Sequence, residues 1–151
     1  MSVTPYEVAD AIRADMTVLY VNYFRLADNG DLTGPQLTIL SMLDKEGPSR
    51  VSDIAQQEGI QMPTASNAIH NLEKRGLVKR ERDPFDRRGI LVSITSDGHD
   101  TVNEVGKQRT AHLADVLSVL DQDELELCTK LAPVIKKLAN SYNALHKKEA
   151  E

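Results

Sequence analysis

Tryptophan is absent from this chain, phenylalanine occurs twice and cysteine once in 151 residues. A single thiol, Cys128, cannot form an internal disulfide and has no second cysteine at metal-binding spacing. The four histidines (His70, His99, His112, His146) are scattered, with no HExxH and no His/Cys cluster. No metal and no cofactor are therefore expected. A Gly-rich phosphate loop is also missing. No apolar run reaches the roughly 18 residues needed to cross a bilayer. The start MSVTPYEVADAIRAD lacks the basic and apolar regions of a signal peptide. These absences lead to the expectation of a cytoplasmic protein without a membrane partner. With 40% hydrophobic and 27% charged residues, the chain is long enough for one domain with a real core.

What the chain does have is charge in an uneven arrangement. Its net charge of −5 would by itself disfavour general affinity for nucleic acid. Between Lys74 and Arg88, however, seven basic residues (Lys74, Arg75, Lys79, Arg80, Arg82, Arg87, Arg88) stand against three acidic ones (Glu81, Asp83, Asp86), a local excess of four positive charges. The rest of the chain then carries a net nine negative charges. Such asymmetry suits one small surface that meets a phosphate backbone while the remainder stays acidic. A charge run can equally be a solvated face, so the surrounding pattern has to decide.

Apolar spacing predicts a first helix from Pro5 to about Ala27, opened by Thr4-Pro5 and closed by Asp28-Asn29-Gly30-Asp31, with Val8, Ile12, Leu19 and Leu26 on one side. A second, with Thr33 as N-cap and Pro35 in its first turn, carries Leu37, Leu40 and Leu43 and stops at Gly47-Pro48. Ser49 can cap a third, short helix with Val51, Ile54 and Ala55 inward, ending at Gly59. A fourth begins near Met62 with Pro63 in its first turn, buries Ala65, Ala68, Ile69 and Leu72, and ends at Gly76. At 100° per residue, Pro63, Asn67, His70 and Lys74 lie opposite that stripe, flanked by Ser66 and Asn71. This outward face has small polar residues and no acid until Glu73, a composition suited to hydrogen bonding with base edges.

Two period-2 stretches follow, Leu77 to Arg82 and Ile90 to Thr95, on either side of Asp83 to Gly89. They predict a hairpin whose apolar side packs on the helices and whose tip projects Arg87 and Arg88. Asp86 is close enough in sequence to hold one of those guanidiniums. Thr95 can cap a helix in which Val102, Gly106, Arg109, Leu113, Val116 and Leu120 form a coiled-coil-like seam, edged by Val105, His112 and Val119. Asp121-Gln122-Asp123-Glu124 has the form of a capping box. It opens a last helix with Leu125, Cys128, Leu131, Ile135, Leu138, Tyr142 and Leu145 on one side. Pro133 within it predicts a kink or two abutting helices, and the tail from Lys147 is expected to fray.

Helix, short helix, helix and two-stranded wing, flanked by long helices, is the order of a winged helix-turn-helix, mainly α with a small antiparallel β wing. On the residues LTGPQLTILSML (32–43) and VSDIAQQEGIQMPTASNAIHNLEKRGLVKRERDPFDRRGILVSITSDG (51–98), the chain resembles the MarR-type transcriptional regulators. The most specific part is DRRGILVSIT with Gly98 three residues on. The resemblance implies one domain over 1–151, with a DNA-binding core at about 33–98 and dimerisation helices at about 5–27 and 96–146. It implies a homodimer holding two recognition helices, Met62 to Arg75, for successive major grooves of double-stranded DNA. The wing pair Asp86 and Arg88 would approach the adjacent minor groove, and a small-molecule effector that changes the spacing of the recognition helices is expected as a further partner. By position, Ser66, Asn67 and His70 would meet bases, while Ser49, Thr64, Lys74 and the wing with Arg87 would meet phosphates. Many members carry Arg where this chain has Asn67. The redox branch relies on a first-helix cysteine that this chain lacks. Tyr20 and Tyr23 are read as packing residues.

An enzyme has little support: Cys128 falls on an apolar helix side without a basic neighbour and reads as a packed thiol, and Asp121/Asp123 fit capping better than acid–base chemistry. A winged-helix module for protein–protein contact is the second reading, since fold does not dictate function. It would favour an apolar or acidic recognition face, whereas this one is polar and continuous with the basic stretch.

Overall fold

The computed structural model describes residues 2–25 and 32–146, with side chains excluded at residues 24–25 and 143–146. Six helices and two strands occur among them: α1 Pro5–Arg25, α2 Gly34–Glu46, α3 Val51–Glu58, α4 Met62–Lys74, β1 Val78–Arg82, β2 Ile90–Ile94, α5 Ser96–Leu117 and α6 Gln122–His146. The fold is thus mainly helical with a small antiparallel hairpin. The turn expected at Asp28-Asn29-Gly30-Asp31, the Leu26 position and the tail from Lys147 lie outside the described residues. The chain divides into two compact units, Met1–Gly34 and Pro35–Glu151.

The first unit is built on α1, which begins with a reciprocal cap. The Glu7 amide donates to Thr4 Oγ1 at 3.3 Å, and the Thr4 amide donates to Glu7 Oε2 at 2.8 Å. Two of the four amides that a helix start leaves unpaired are satisfied in this way. Val8, Ile12 and Leu19 share this helix with Met16, and all four are exposed.

In the second unit the core is closed by Ile39, Leu40 and Leu43 of α2, Ile54 of α3, Ile69 and Leu72 of α4 and Val92 of β2. The buried face of α2 differs from the expected Leu37, Leu40 and Leu43. Ile39 and Met42 are buried, and Leu37 is only half-buried, because the elements that pack over α2 turn it toward them. α4 buries Ala65, Ala68, Ile69 and Leu72, as its spacing predicts.

α3 and α4 stop in the same manner. Gly59 (φ 64°) and Gly76 (φ 70°) adopt the left-handed region that a side chain resists. The next amides, of Ile60 and Leu77, then reach back to the Ala55 and Leu72 carbonyls at 3.0 Å. Ser49 does not cap α3. Arg50 occupies the N-cap position without a side-chain cap bond, and the Ser49 hydroxyl donates to the Gly47 carbonyl at 3.1 Å. The Ser49 backbone is taken by the sheet. Its amide donates to the Val92 carbonyl at 3.0 Å and its carbonyl accepts from the Val92 amide at 2.8 Å, so Ser49 adds a one-residue third rung beside β2.

The hairpin pairs Val78 with Ile94 through Arg82 with Ile90. Burial does not alternate along it as a half-covered strand would. Leu77 and Val78 are both buried at the base, the remainder of β1 is exposed, and Ile90 near the tip is exposed. Only the base is sandwiched by helices, so both strand faces are covered there and both are bare further out.

Thr95 closes the hairpin onto α5. Its hydroxyl donates to the Gly76 carbonyl at 2.6 Å and accepts the Gly98 amide at 3.1 Å, while its amide donates to the Leu77 carbonyl at 3.0 Å. Gly98 is required by this approach, since a Cβ there would stand 2.1 Å from the Leu77 carbonyl oxygen and 2.7 Å from Ile94 Cγ1. α5 is also tied to α2, with His99 Nδ1 2.5 Å from Asp44 Oδ1 and His99 Nε2 3.0 Å from Asn103 Nδ2.

α6 opens with the expected capping box, the Glu124 amide donating to Asp121 Oδ1 at 2.9 Å and the Asp121 amide to Glu124 Oε2 at 3.0 Å. It continues as one helix through Pro133. Cys128, expected to be a packed thiol, is half-buried, and Leu131, Ile135, Leu138 and Tyr142 further along are exposed.

Candidate nucleic-acid interface

Burial of Ala65, Ala68, Ile69 and Leu72 aims the opposite side of α4 into solvent. Thr64, Asn67, His70 and Lys74 are exposed there, and Ser66 is half-buried at the edge. No acidic residue lies in the first turn of α4, so its N-terminal partial positive charge is not neutralised locally. Glu73, the first acid along the helix, is occupied by Arg80, whose Nε lies 3.1 Å from Glu73 Oε2.

The basic cluster separates into paired and unpaired members. Arg80 is held by Glu73, and Lys79 Nζ lies 2.7 Å from Glu81 Oε1. Among the described residues no carboxylate lies within salt-bridge distance of Lys74, Arg82, Arg87 or Arg88. These four cations therefore remain available to an external anion, three of them on the hairpin and one at the end of α4.

The tip is braced by bonds that local sequence does not reveal. Asp86 does not hold a wing guanidinium. Its Oδ2 accepts from Arg50 Nη2 at 3.0 Å, and the same nitrogen donates to Asp83 Oδ2 at 3.0 Å. The other oxygens serve the turn, Asp83 Oδ1 accepting the Phe85 amide at 2.9 Å and Asp86 Oδ1 the Arg88 amide at 3.0 Å. These backbone bonds first, and Arg50 second, hold both carboxyls below the usual carboxylate range. The Asp83 and Asp86 bonds in turn keep the Arg50 guanidinium charged beyond its ordinary range. Two further bonds close the loop, from the Asp83 amide to the Gly89 carbonyl at 3.0 Å and from the Gly89 amide to the Asp86 carbonyl at 2.9 Å.

Arg50 thus clamps the wing to the start of α3. Gly89 makes room for it, because a Cβ there would lie 2.9 Å from Arg50 Nη2. The clamp joins residues 36 positions apart. Sequence proximity favoured Arg87 or Arg88 as the partner of Asp86, and only two aspartates three apart in a turn hinted at a cation from elsewhere.

The fold brings the expected residues together in two groups. Thr64, Ser66, Asn67, His70 and Lys74 share one face of α4, and Asp86, Arg87 and Arg88 lie on the hairpin tip. Ser49 is on neither of these elements, and its backbone is bridged to Val92 of β2. Among the described residues no group of three or more His, Cys, Asp or Glu could hold a metal ion, and no helix is long and apolar enough to cross a membrane.

A polar helix face beside a hairpin with free cations, on a helix-turn-helix core, defines a winged helix-turn-helix protein. Residues 32–90 match the family model described as MarR family. The HTH-type transcriptional repressor MdtR of Bacillus subtilis is 32% identical over 110 residues, which cover 73% of this chain and 69% of that protein. The HTH-type transcriptional regulator FarR of Neisseria gonorrhoeae is 25% identical over 126 residues, covering 83% and 86%. The crystal structure of YusO from Bacillus subtilis superposes with a TM-score of 0.69 at 26% identity, covering 91% of this chain and 98% of that one. The chain belongs to the MarR family of transcriptional regulators and is a DNA-binding regulator, not an enzyme.

Proposed function

We propose that the protein acts in the cytoplasm as a homodimer that binds a pseudo-palindromic site in double-stranded DNA and represses transcription by occupying it. The observation that carries this reading is the polar face of α4, without an acid before Glu73, beside a clamped wing whose Arg87 and Arg88 have no anionic partner among the described residues. Ser66, Asn67 and His70 read base edges in the major groove. Thr64, Lys74, Arg87 and Arg88, with Ser49 at the sheet edge, fix register on phosphates, and Asp86 acts through the wing it helps to hold. Repression is favoured over activation by the name of the MdtR relative.

The homodimer is supported by the apolar residues left exposed on α1, α5 and α6, among them Leu19, Leu113, Val116, Ile135 and Leu138. Packing two such chains would set two α4 helices at a fixed separation, and half-site spacing follows from that separation. A small-molecule effector that binds one spacing better than another would shift DNA affinity by that difference.

The test is a salt titration by fluorescence anisotropy on a duplex that the protein selects from a random-sequence library and on a scrambled duplex. Arg88→Ala should weaken binding to both and reduce the salt slope by about 1 per lost phosphate contact in each subunit. Asn67→Ala should cost about 1–3 kcal/mol on the selected duplex alone, relax preference at one position of each half-site and leave the slope nearly unchanged. If Arg88→Ala leaves both affinities untouched, the arginine cluster is a solvated loop and the reading fails.

A further inference from the structure

Phe85 lies at the tip of the wing with 98% of its surface exposed. Phenylalanine is ordinarily among the residues a fold hides, and here nothing among the described residues covers it. The position is held in place on both sides. The Phe85 amide donates to Asp83 Oδ1 at 2.9 Å, Pro84 fixes the preceding φ, and Asp83 and Asp86 are both clamped by Arg50. A ring presented on a braced turn does not pay the ordering cost that a floppy loop would pay on binding. Arg87 and Arg88 follow it without carboxylate partners among the described residues.

We propose that Phe85 is a positioning residue for DNA, an apolar wedge that packs against deoxyribose in the minor groove while Arg87 and Arg88 meet the phosphates on either side. This rests on the DNA-binding reading above and extends it to a contact made without hydrogen bonds or charge. An apolar protein pocket is the poorer occupant, because seating Phe85 there would strip water from two guanidiniums with no anion to receive them. The minor groove supplies both needs at once, apolar sugar faces for the ring and strong negative potential for the arginines. The inference also accounts for the clamp. A wedge works best on a braced turn, and Arg50 supplies that brace from outside the hairpin.

The experiment compares wild type, Phe85→Ala, Phe85→Leu and Arg88→Ala on the library-selected duplex, by anisotropy at several salt concentrations and by hydroxyl-radical footprinting, which reads sugar accessibility in the minor groove. Phe85→Ala should weaken binding about tenfold with the salt slope unchanged, because no ion is released by an apolar contact. It should also lose sugar protection at the outer flanks of the site. Phe85→Leu should restore most of the affinity, and the thermal midpoints of both should equal that of wild type, since the ring supports nothing in the fold. Wild-type affinity and unchanged flank protection in Phe85→Ala would overturn the proposal. A variant that binds normally per dimer but dissociates into monomers would also overturn it, by placing the ring in a protein interface. If wild type binds no library duplex, the DNA reading itself fails and this inference falls with it. That outcome is recognised before any Phe85 variant is compared.

Discussion

The helix-turn-helix core and the long helices use the same apolar spacing and reach opposite ends. In α2, α3 and α4 the periodic residues Leu40, Ile54, Ile69 and Leu72 are 0% exposed, closed over by the chain's own elements. In α6 the equally periodic Ile135 and Leu138 are 61% and 64% exposed. Spacing determines which side of a helix is apolar, but it carries no record of what covers that side. The covered set is a core. The uncovered set is a demand for another surface, which the proposed second copy meets.

Breaking the uncovered set should have the largest effect. With Ile135 and Leu138 both changed to Asp, light scattering should return a monomer near 16.7 kDa at micromolar concentration. Affinity for the selected duplex should fall roughly 100-fold or more, because two half-sites no longer bind as one unit. Circular dichroism should keep the helical signature, since neither residue is covered in the single chain. A wild-type protein that is already monomeric at that concentration would remove the contrast between the two regions.

A smaller but still large effect is expected where the core meets α5. Gly98→Ala should destabilise by about 3 kcal/mol in urea unfolding, because the added methyl would meet a backbone carbonyl that has no freedom to retreat. Gly106 in the same helix meets nothing within 4 Å. Gly106→Ala should instead stabilise the chain by about 1 kcal/mol through helix propensity, unless the proposed partner packs against that seam position. The sign of this second effect therefore reports whether the seam is covered in the assembly.

Ser93 sharpens the comparison from inside the core. Its hydroxyl is buried with no hydrogen-bond partner, so Ser93→Ala should raise stability by about 1 kcal/mol in the same measurement.

The smallest effect concerns the tie between α2 and α5. The hydrogen bond to Asp44 first, then its charge, raises the pKa of His99 above its ordinary range, with Asp100 adding in the same direction and Asn103 on the other ring nitrogen. A raised pKa in the folded state means that the stabilisation is present at low pH and is lost as pH climbs through that pKa. The unfolding midpoint of wild type should therefore approach that of His99→Gln as pH rises from about 6 to about 8. A difference that grows with pH would contradict the assignment.

Much of the fold could be read from residues. The buried stripe of α4, the turn glycines Gly59 and Gly76, and the Asp121/Glu124 box each follow from local rules about periodicity and orphan amides, and each appears as those rules require. Ser49 shows where such rules stop. A serine before a short helix is a good cap by propensity, but the β2 edge took its backbone and the N-cap position fell to Arg50. The burial of α2 is a similar case, because spacing admitted two neighbouring faces and packing chose the one with Ile39 and Met42.

For the candidate site, the sequence alone determined that a polar helix face without an acid before Glu73 precedes a basic hairpin, because residue type and helical angle are local properties. Tertiary structure decided which cations are free and what braces the wing. Arg80 is neutralised by Glu73, seven residues away, and Asp86 is captured by Arg50, 36 residues away. No local pattern contains those pairings. They exist because α3, α4 and the hairpin are brought together by a shared core, and ionic partners are chosen by distance in space after that core has formed.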